Sequence, residues 1–400
     1  MSVIMFVVPP FHGHIVSTLS VGNELLGRGH QVVWVAMKEI AEGYIPEGGK
    51  WIVPSEIAAH REEIDLILQK QNIGPKISGL EALDFGLDET MLPFANIMNP
   101  ALQNIVEQLK PDCIIHDESA LAGAVVAVKN NIPYATSIAP PPGFFDPNLF
   151  FPERQKLLLE KMKAIQKDMG VKSDRVVFNS DQLILSYTSR ELLKPNYGDF
   201  VFDGPVEFVG AAVESRPQNG RFNWAQIKNP DWPIVYVSIG TVLDDIRSTI
   251  FAKIIAAFKN TPLNIIVDTD PAIFSEWPEN FIVQKACPQL EILKQVDLVI
   301  THGGFNTINE ALYFDKPMIV LPLAWDQPPN ANLVVQNGCG LKFKYRRLGT
   351  EELKESAMKI LSESEFKQNA ARLGALTRAL GGTKKAATLI EKLIQNGNAK

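Results

Sequence analysis

Two short segments of this 400-residue chain carry side chains suited to chemistry. The first is Phe11-His12-Gly13-His14, which follows the apolar run Val3 to Val8. Histidine ionises near neutral pH, so a histidine in such a turn can take a proton from a hydroxyl. A carboxylate on the ring's other nitrogen would fix the tautomer and support the imidazolium. Asp117, which closes the run Cys113 to His116, is the candidate, and His12 or His14 could be the base. A lone turn histidine is usually structural; two flanking a glycine after a strand are less ordinary. The second segment is Thr301-His302-Gly303-Gly304-Phe305-Asn306-Thr307-Ile308-Asn309-Glu310. Its glycines let the backbone turn tightly and approach a ligand. A helix starting near Asn306 offers unpaired N–H groups and the positive end of a dipole, where a phosphate can sit. His302, Asn306 and Thr307 add side-chain donors. A Gly-Gly turn alone fits a ligand-free strand-to-helix connection equally well. Pro288-Gln289 upstream and Asp326-Gln327 downstream tip the reading, because both lie where a parallel sheet would gather its loops.

The elements that must position these residues follow from periodicity. Short β-branched runs predict strands at Val3 to Val8, Gln31 to Ala36, Cys113 to Asp117, Ile132 to Ser137 and Leu183 to Ser186. Helical spacing predicts helices at Ile15 to Arg28, ended by Gly29, and at Ala120 to Val128. The pattern then restarts: strands at Ile234 to Ile239, Leu263 to Val267, Leu298 to Thr301 and Met318 to Leu321, with helices at Thr249 to Phe258, Leu290 to Lys294 and Asn306 to Tyr313. Such alternation predicts parallel, doubly wound α/β sheets. A single core rarely grows past roughly 250–300 residues, so two domains are expected. The boundaries read as 1–210 for an N-terminal Rossmann-like domain, 211–232 for a linker and 233–380 for a second such domain. Residues 381–400 form a C-terminal helix expected to pack back on the first domain.

Composition narrows the function. There are 39 Lys+Arg against 45 Asp+Glu, a formal net charge of −6, and no basic run dense enough for a nucleic-acid partner. The three cysteines, Cys113, Cys287 and Cys339, are far apart and lack zinc spacing, which suits a reducing compartment. The first apolar run is too short for a signal segment or a span, and no other stretch qualifies, so a cytoplasmic protein is expected. Asp268-Thr269-Asp270 is a DxD, but two carboxylates alone make a thin metal site, and no metal is expected.

The segment Val283 to Gly340 resembles the donor-binding signature of family 1, UDP-dependent glycosyltransferases. The resemblance rests on Pro288-Gln289, Leu293, Thr301 to Gly304, Asn306-Thr307, Glu310, Pro317-Met318, Pro322, Asp326-Gln327, Asn330-Ala331, Gly338 and Gly340. Its wording is most similar to bacterial macrolide-type and zeaxanthin glucosyltransferases, and the resemblance extends over both domains, most weakly from about Glu39 to Asn99. It implies the GT-B architecture, two Rossmann-like domains facing a central cleft. It implies that the Cys287 backbone pairs with uracil, that Gln289 lies against the ribose, and that Glu310 accepts its hydroxyls. His302, Gly304, Asn306 and Thr307 would hold the diphosphate, with Ser238, Gly240 and Thr241 closing over it. Asp326 and Gln327 would read the sugar. Of the two turn histidines it assigns His14 as base, with Asp117 as its partner. The chain departs from the pattern at Ala286, where plant members carry a uracil-stacking Trp, and at Ser17, where many members have Pro nearby.

The activity implied is inverting transfer of a hexose, glucose first, from a UDP-sugar to a hydroxyl of a lipophilic small molecule such as a carotenoid, macrolide or polyphenol. No cofactor or metal is implied, since the UDP-sugar is a co-substrate. The chain would act as monomer or homodimer, and a lipophilic acceptor permits peripheral membrane contact. Acceptor-contacting segments are expected in the least patterned stretches, Glu39 to Asn99 and Ala139 to Asp174, where the Phe-, Leu-, Met- and Pro-rich loops Phe85 to Met98 and Pro141 to Phe151 suit a large apolar acceptor or buried core packing equally well. The rival readings are a nucleotide-sugar epimerase of the same architecture and a non-catalytic sugar-nucleotide-binding helper.

Overall fold

A computed structural model describes residues 1–40, 43–70, 77, 79–141, 152–197, 204–214, 216, 220–240 and 244–398. The chain forms two compact units. The first comprises Met1–Ser189, Asp199–Pro217 and Leu380–Lys400; the second comprises Arg190–Gly198 and Gln218–Ala379.

In the first unit the described strands are β1 (Val3–Val8), β2 (Gln31–Ala36), β3 (Lys50–Ile52), β4 (Cys113–Asp117), β5 (Tyr134–Ile138), β6 (Ile184–Ser186) and β7 (Val206–Phe208). They form one sheet in the order β3-β2-β1-β4-β5-β6-β7, with every pairing parallel. Side chains alternate across a strand, so a strand covered on both faces must be apolar throughout. β1 shows the division: Met5 and Val7 join one hydrophobic cluster, and Ile4, Phe6 and Val8 join the other. The second cluster also takes Ala386, Ala387, Ile390, Leu393 and Ile394 from the terminal helix Gly382–Asn398.

The second unit repeats the plan with β8 (Ile234–Ser238), β9 (Asn264–Asp268), β10 (Phe281–Gln284), β11 (Leu298–Thr301), β12 (Met318–Val320) and β13 (Gly340–Lys342). The order is β10-β9-β8-β11-β12-β13, again parallel. In both sheets the winding reverses beside the first strand of the unit, between β1 and β4 and between β8 and β11. At such a reversal the loops at the carboxyl ends diverge and leave a crevice for ligands.

Two expectations need correction. The first helix is His12–Gly27, so His12 and His14 lie in its opening turn and not in a loop before Ile15. First-turn residues need not be buried, so apolar spacing does not mark them. The stretch Phe85 to Met98 is no loop either. It passes through the helix Gly79–Gly86, a π-helical turn Leu87–Met91 and the helix Leu92–Leu109. Leu87, Phe94 and Met98 are almost completely buried in the core. Residues 142–151 of the other proposed loop lie outside the described residues. No helix among the described residues is long and apolar enough to cross a membrane.

Candidate functional site

At the reversal of the first sheet, β1 delivers the helix His12–Gly27 and β4 ends on Asp117. His14 Nδ1 lies 3.0 Å from Oδ1 and 3.0 Å from Oδ2 of Asp117. The Asp117 side chain has no exposed surface, whereas His14 keeps 24% of its own. Asp117 Oδ1 also accepts the Ser119 N–H at 2.8 Å. A carboxylate can only accept, so the pair places the ring proton on Nδ1 and leaves the lone pair on Nε2. That is the form needed to take a proton. His12 sits elsewhere, edge-on to Tyr44 with ring centroids 5.4 Å apart. Phe11 lies 5.6 Å from the His14 ring and 6.0 Å from Phe94, which makes an apolar wall beside the pair.

The remaining histidines of this unit have structural partners. His116 is fully buried, its Nδ1 donating to the Asp117 carbonyl and its Nε2 accepting from Thr136 Oγ1, both at 2.9 Å. Burial pushes its pKa down to about 4. His30 meets Glu391 at 3.0 Å and His60 meets Glu63 at 2.8 Å.

At the reversal of the second sheet, β8 ends at Ser238 and β11 runs into Gly303 and Gly304. Gly303 has φ +92°, and a Cβ there would meet Val320 at 2.8 Å. Gly240 has φ +75°, and its Cβ would meet the His302 ring at 2.7 Å. Both positions therefore need glycine, for handedness and for space. The helix Phe305–Tyr313 begins directly after Gly304 and aims its N-terminus at this edge. Asn306 is half-buried and Thr307 is buried in its first turn. Thr241 lies outside the described residues.

Gln289, first residue of the helix Gln289–Leu293, links several groups. Its Nε2 donates to Glu310 Oε2 at 2.6 Å, and its Oε1 lies 3.3 Å from both Ser238 Oγ and Tyr236 Oη. The Cys287 N–H donates to Asp268 Oδ1 at 3.2 Å. Asp326 Oδ2 accepts from Asn330 Nδ2 at 2.8 Å, and the same amide reaches the Gly303 carbonyl at 3.1 Å. Gln327 turns its Oε1 onto the N–H groups of Leu323 and Ala324 at 2.8 and 3.0 Å, so this oxygen shapes the loop before the helix Gln327–Gln336.

His302 is held neutral. Burial lowers its pKa to about 4; the Ser238 backbone acts against this, and the positive charge of Arg247 acts with it. It can supply a hydrogen bond to an anion but no formal charge near neutral pH.

Three participants escaped the sequence reading. Tyr236 looks like strand core, and burial drives its phenol well above its ordinary range. Asp268 reads as half of a metal motif. Here burial raises its pKa against the Cys287 and Tyr236 hydrogen bonds and the charge of Arg247. Asp270 instead accepts the Ala272 N–H at 3.0 Å and pairs with Lys285 at 3.2 Å. Arg247 carries no motif and lies ahead of the helix that the sequence predicts from Thr249, whereas the helix begins at Asp244. Ala286 (φ 57°) and Trp325 (φ 54°) are left-handed non-glycine residues directly before Cys287 and Asp326. Strain of this kind is held by surrounding structure and gathers at ligand-contacting loops.

Two doubly wound parallel units with donor-rich loops at their reversals define the GT-B fold. The chain belongs to the family described as UDP-glucoronosyl and UDP-glucosyl transferase, whose model matches residues 175–380, just over half its length. It is a transferase enzyme. The sequence is 28% identical over 398 residues to the oleandomycin glycosyltransferase of Streptomyces antibioticus, covering 95% of this chain and 88% of that one. It is 24% identical over 432 residues to the zeaxanthin glucosyltransferase of Pseudescherichia vulneris, covering 98% and 99%. The crystal structure of the glycosyltransferase VinC in complex with dTDP matches with a TM-score of 0.73 at 16% identity, over 98% of this chain and 100% of that one, a likeness of fold.

Proposed function

We propose that this enzyme transfers a hexose, glucose first, from a UDP-sugar to a hydroxyl of a lipophilic small molecule, with inversion at the anomeric carbon. The observation that carries the reading is the His14–Asp117 pair at the reversal of the first sheet. His14 Nε2 takes the acceptor's hydroxyl proton while the acceptor oxygen bonds to the anomeric carbon. The bond from that carbon to the diphosphate oxygen breaks, and UDP carries the electron pair away. Asp117 fixes the tautomer and supports the imidazolium. One displacement inverts the centre, so an α-linked donor gives a β-glycoside.

The second unit binds the nucleotide in this reading. Glu310 accepts ribose hydroxyls, and Gln289 lies beside them, tied to Glu310. The backbone of Cys287 faces the base. His302, Gly304, Asn306 and Thr307, with Ser238, Gly240 and Thr241, surround the diphosphate, and Asp326 and Gln327 contact the sugar. Asp268 and Asp270 are committed to local N–H groups and Lys285, which supports departure of the diphosphate without a metal. A carotenoid, macrolide or polyphenol acceptor is favoured by the half-buried Phe11 ring beside His14 and by relatives whose names include zeaxanthin and oleandomycin.

The test is UDP release from UDP-glucose with zeaxanthin, a macrolide and a flavonol, against a no-acceptor control. Acceptor-dependent release with a β-glucoside product supports the reading. Turnover of the nucleotide sugar without acceptor would instead indicate an epimerase. UDP binding without turnover of any kind would indicate a binding protein.

A further inference from the structure

We propose that Arg247 is the cation that holds the donor's diphosphate and stabilises it as it leaves. This rests on reading the second unit as the nucleotide-sugar site. A departing UDP gathers negative charge on the diphosphate, and a site that speeds its loss needs positive charge already in place. The groups assigned to that task supply little. The N-terminus of the helix Phe305–Tyr313 offers about half an elementary charge at most. Burial pushes the His302 pKa down to about 4, so before an anion binds the ring brings no formal charge near pH 7.

Arg247 belongs to the helix Asp244–Phe258, which follows β8, and is half-buried. Its Nη2 donates to the carbonyl of Gly240 at 2.9 Å. Gly240 in turn packs against His302 so closely that a Cβ there would lie 2.7 Å from the ring. The guanidinium is thereby tied to the backbone loop whose other side touches His302. Its charge reaches two separate groups on the same sheet edge, His302 and Asp268. A planar guanidinium presents paired N–H donors that match phosphate oxygens, which an ammonium point charge matches less well. A surface arginine would be expected to extend into solvent. This one is held at the end of β8, where the phosphate-facing glycine lies.

The experiment compares UDP with uridine on the wild-type chain, Arg247→Gln and Arg247→Lys, by calorimetry for UDP and ligand-observed NMR for uridine. Arg247→Gln should weaken UDP by about tenfold or more and leave uridine unchanged, and Arg247→Lys should recover part of the loss, as a charge-assisted bond to phosphate requires. The His302 ring should titrate at higher pH in Arg247→Gln, because a neighbouring positive charge has been removed. Unchanged UDP affinity in Arg247→Gln overturns the proposal. So does equal weakening of UDP and uridine, which marks a structural role. A folded wild-type chain that binds no UDP overturns the donor-site reading itself, and this proposal with it.

Discussion

His14 and Asp117 are 103 residues apart in sequence, yet the Nδ1 of one lies 3.0 Å from each carboxylate oxygen of the other. Their strands make this possible. β1 and β4 are parallel neighbours in register from Ile4 opposite Cys113 to Val7 opposite His116. Both therefore end at the same edge. The helix after β1 then lifts His14 over the end of β4.

Asp117→Asn should separate orientation from binding. An asparagine amide can present its NH₂ to Nδ1 and so favour the tautomer with the proton on Nε2, the wrong one for a base. Its carbonyl can still accept the Ser119 N–H, so the turn should survive. Expected is a loss in kcat of about 10²- to 10⁴-fold with UDP affinity unchanged. Acceptor-dependent UDP release and a UDP titration measure the two. A variant with wild-type turnover would remove Asp117 from the mechanism.

Glu310→Ala should act on the nucleotide alone. Glu310 is buried, and its Oε2 already holds Gln289 at 2.6 Å, which leaves the carboxylate oriented for ribose. Removing it should weaken UDP by roughly tenfold or more, the usual loss for a hydrogen bond to a charged group. The sharper readout is discrimination. Wild type should prefer UDP over 2′-deoxy-UDP, and Glu310→Ala should bind the two alike. Retained discrimination would place the ribose contact elsewhere.

Several residues that the sequence makes legible sit at the end of a strongly patterned strand. Buried parallel strands such as Val3–Val8 are apolar throughout, so their ends are visible, and the residues just beyond them are exposed to scrutiny. His14, Asp117 and His302 lie at or just past such ends, whereas Glu310 lies inside the helix Phe305–Tyr313 and only the family resemblance picks it out. β3, β7, β10 and β13 carry no such signal, because Lys50–Ile52, Val206–Phe208 and Gly340–Lys342 span three residues each and Phe281–Gln284 is little longer. Tyr236 was hidden because a buried tyrosine within a strand looks like packing. The link from Asp268 to Cys287 depends on how the chain turns after β10, through a left-handed Ala286 that residue type does not announce. Arg247 depends on the fold of a loop backbone, to which one arginine ahead of the predicted helix gives no clue.

Gly240→Ala should damage the second unit's site without a change in its charges. The substitution forces a side chain into a left-handed backbone and drives a Cβ to 2.7 Å from His302. Strain of this type costs on the order of 1–3 kcal/mol. Part of it can be relieved by displacing the His302 ring or releasing the Gly240 carbonyl from Arg247. UDP affinity should therefore fall more than thermal stability does, as read by titration and by thermal unfolding. Undiminished UDP binding would show that this loop stays clear of the diphosphate.

Acid should destabilise the protein through histidines held neutral, and His116 is the clearest case. Its folded pKa is depressed from 6.5 to about 4, chiefly by burial. Between those values the unfolded chain binds a proton that the folded chain does not. Stability from this group is complete above about pH 6.5 and is lost as pH falls toward 4, by an amount on the order of 1–3 kcal/mol. His302 has the same sign and window, so the two effects add. His116→Asn should be less stable than wild type at pH 7, because it breaks the contacts to the Asp117 carbonyl and Thr136. It should nevertheless lose less stability than wild type between pH 7 and pH 5, since one proton-linked site is gone. Urea unfolding at the two pH values, followed by tryptophan fluorescence, measures the difference. Equal losses in the two proteins would mean that His116 is not what acid acts on.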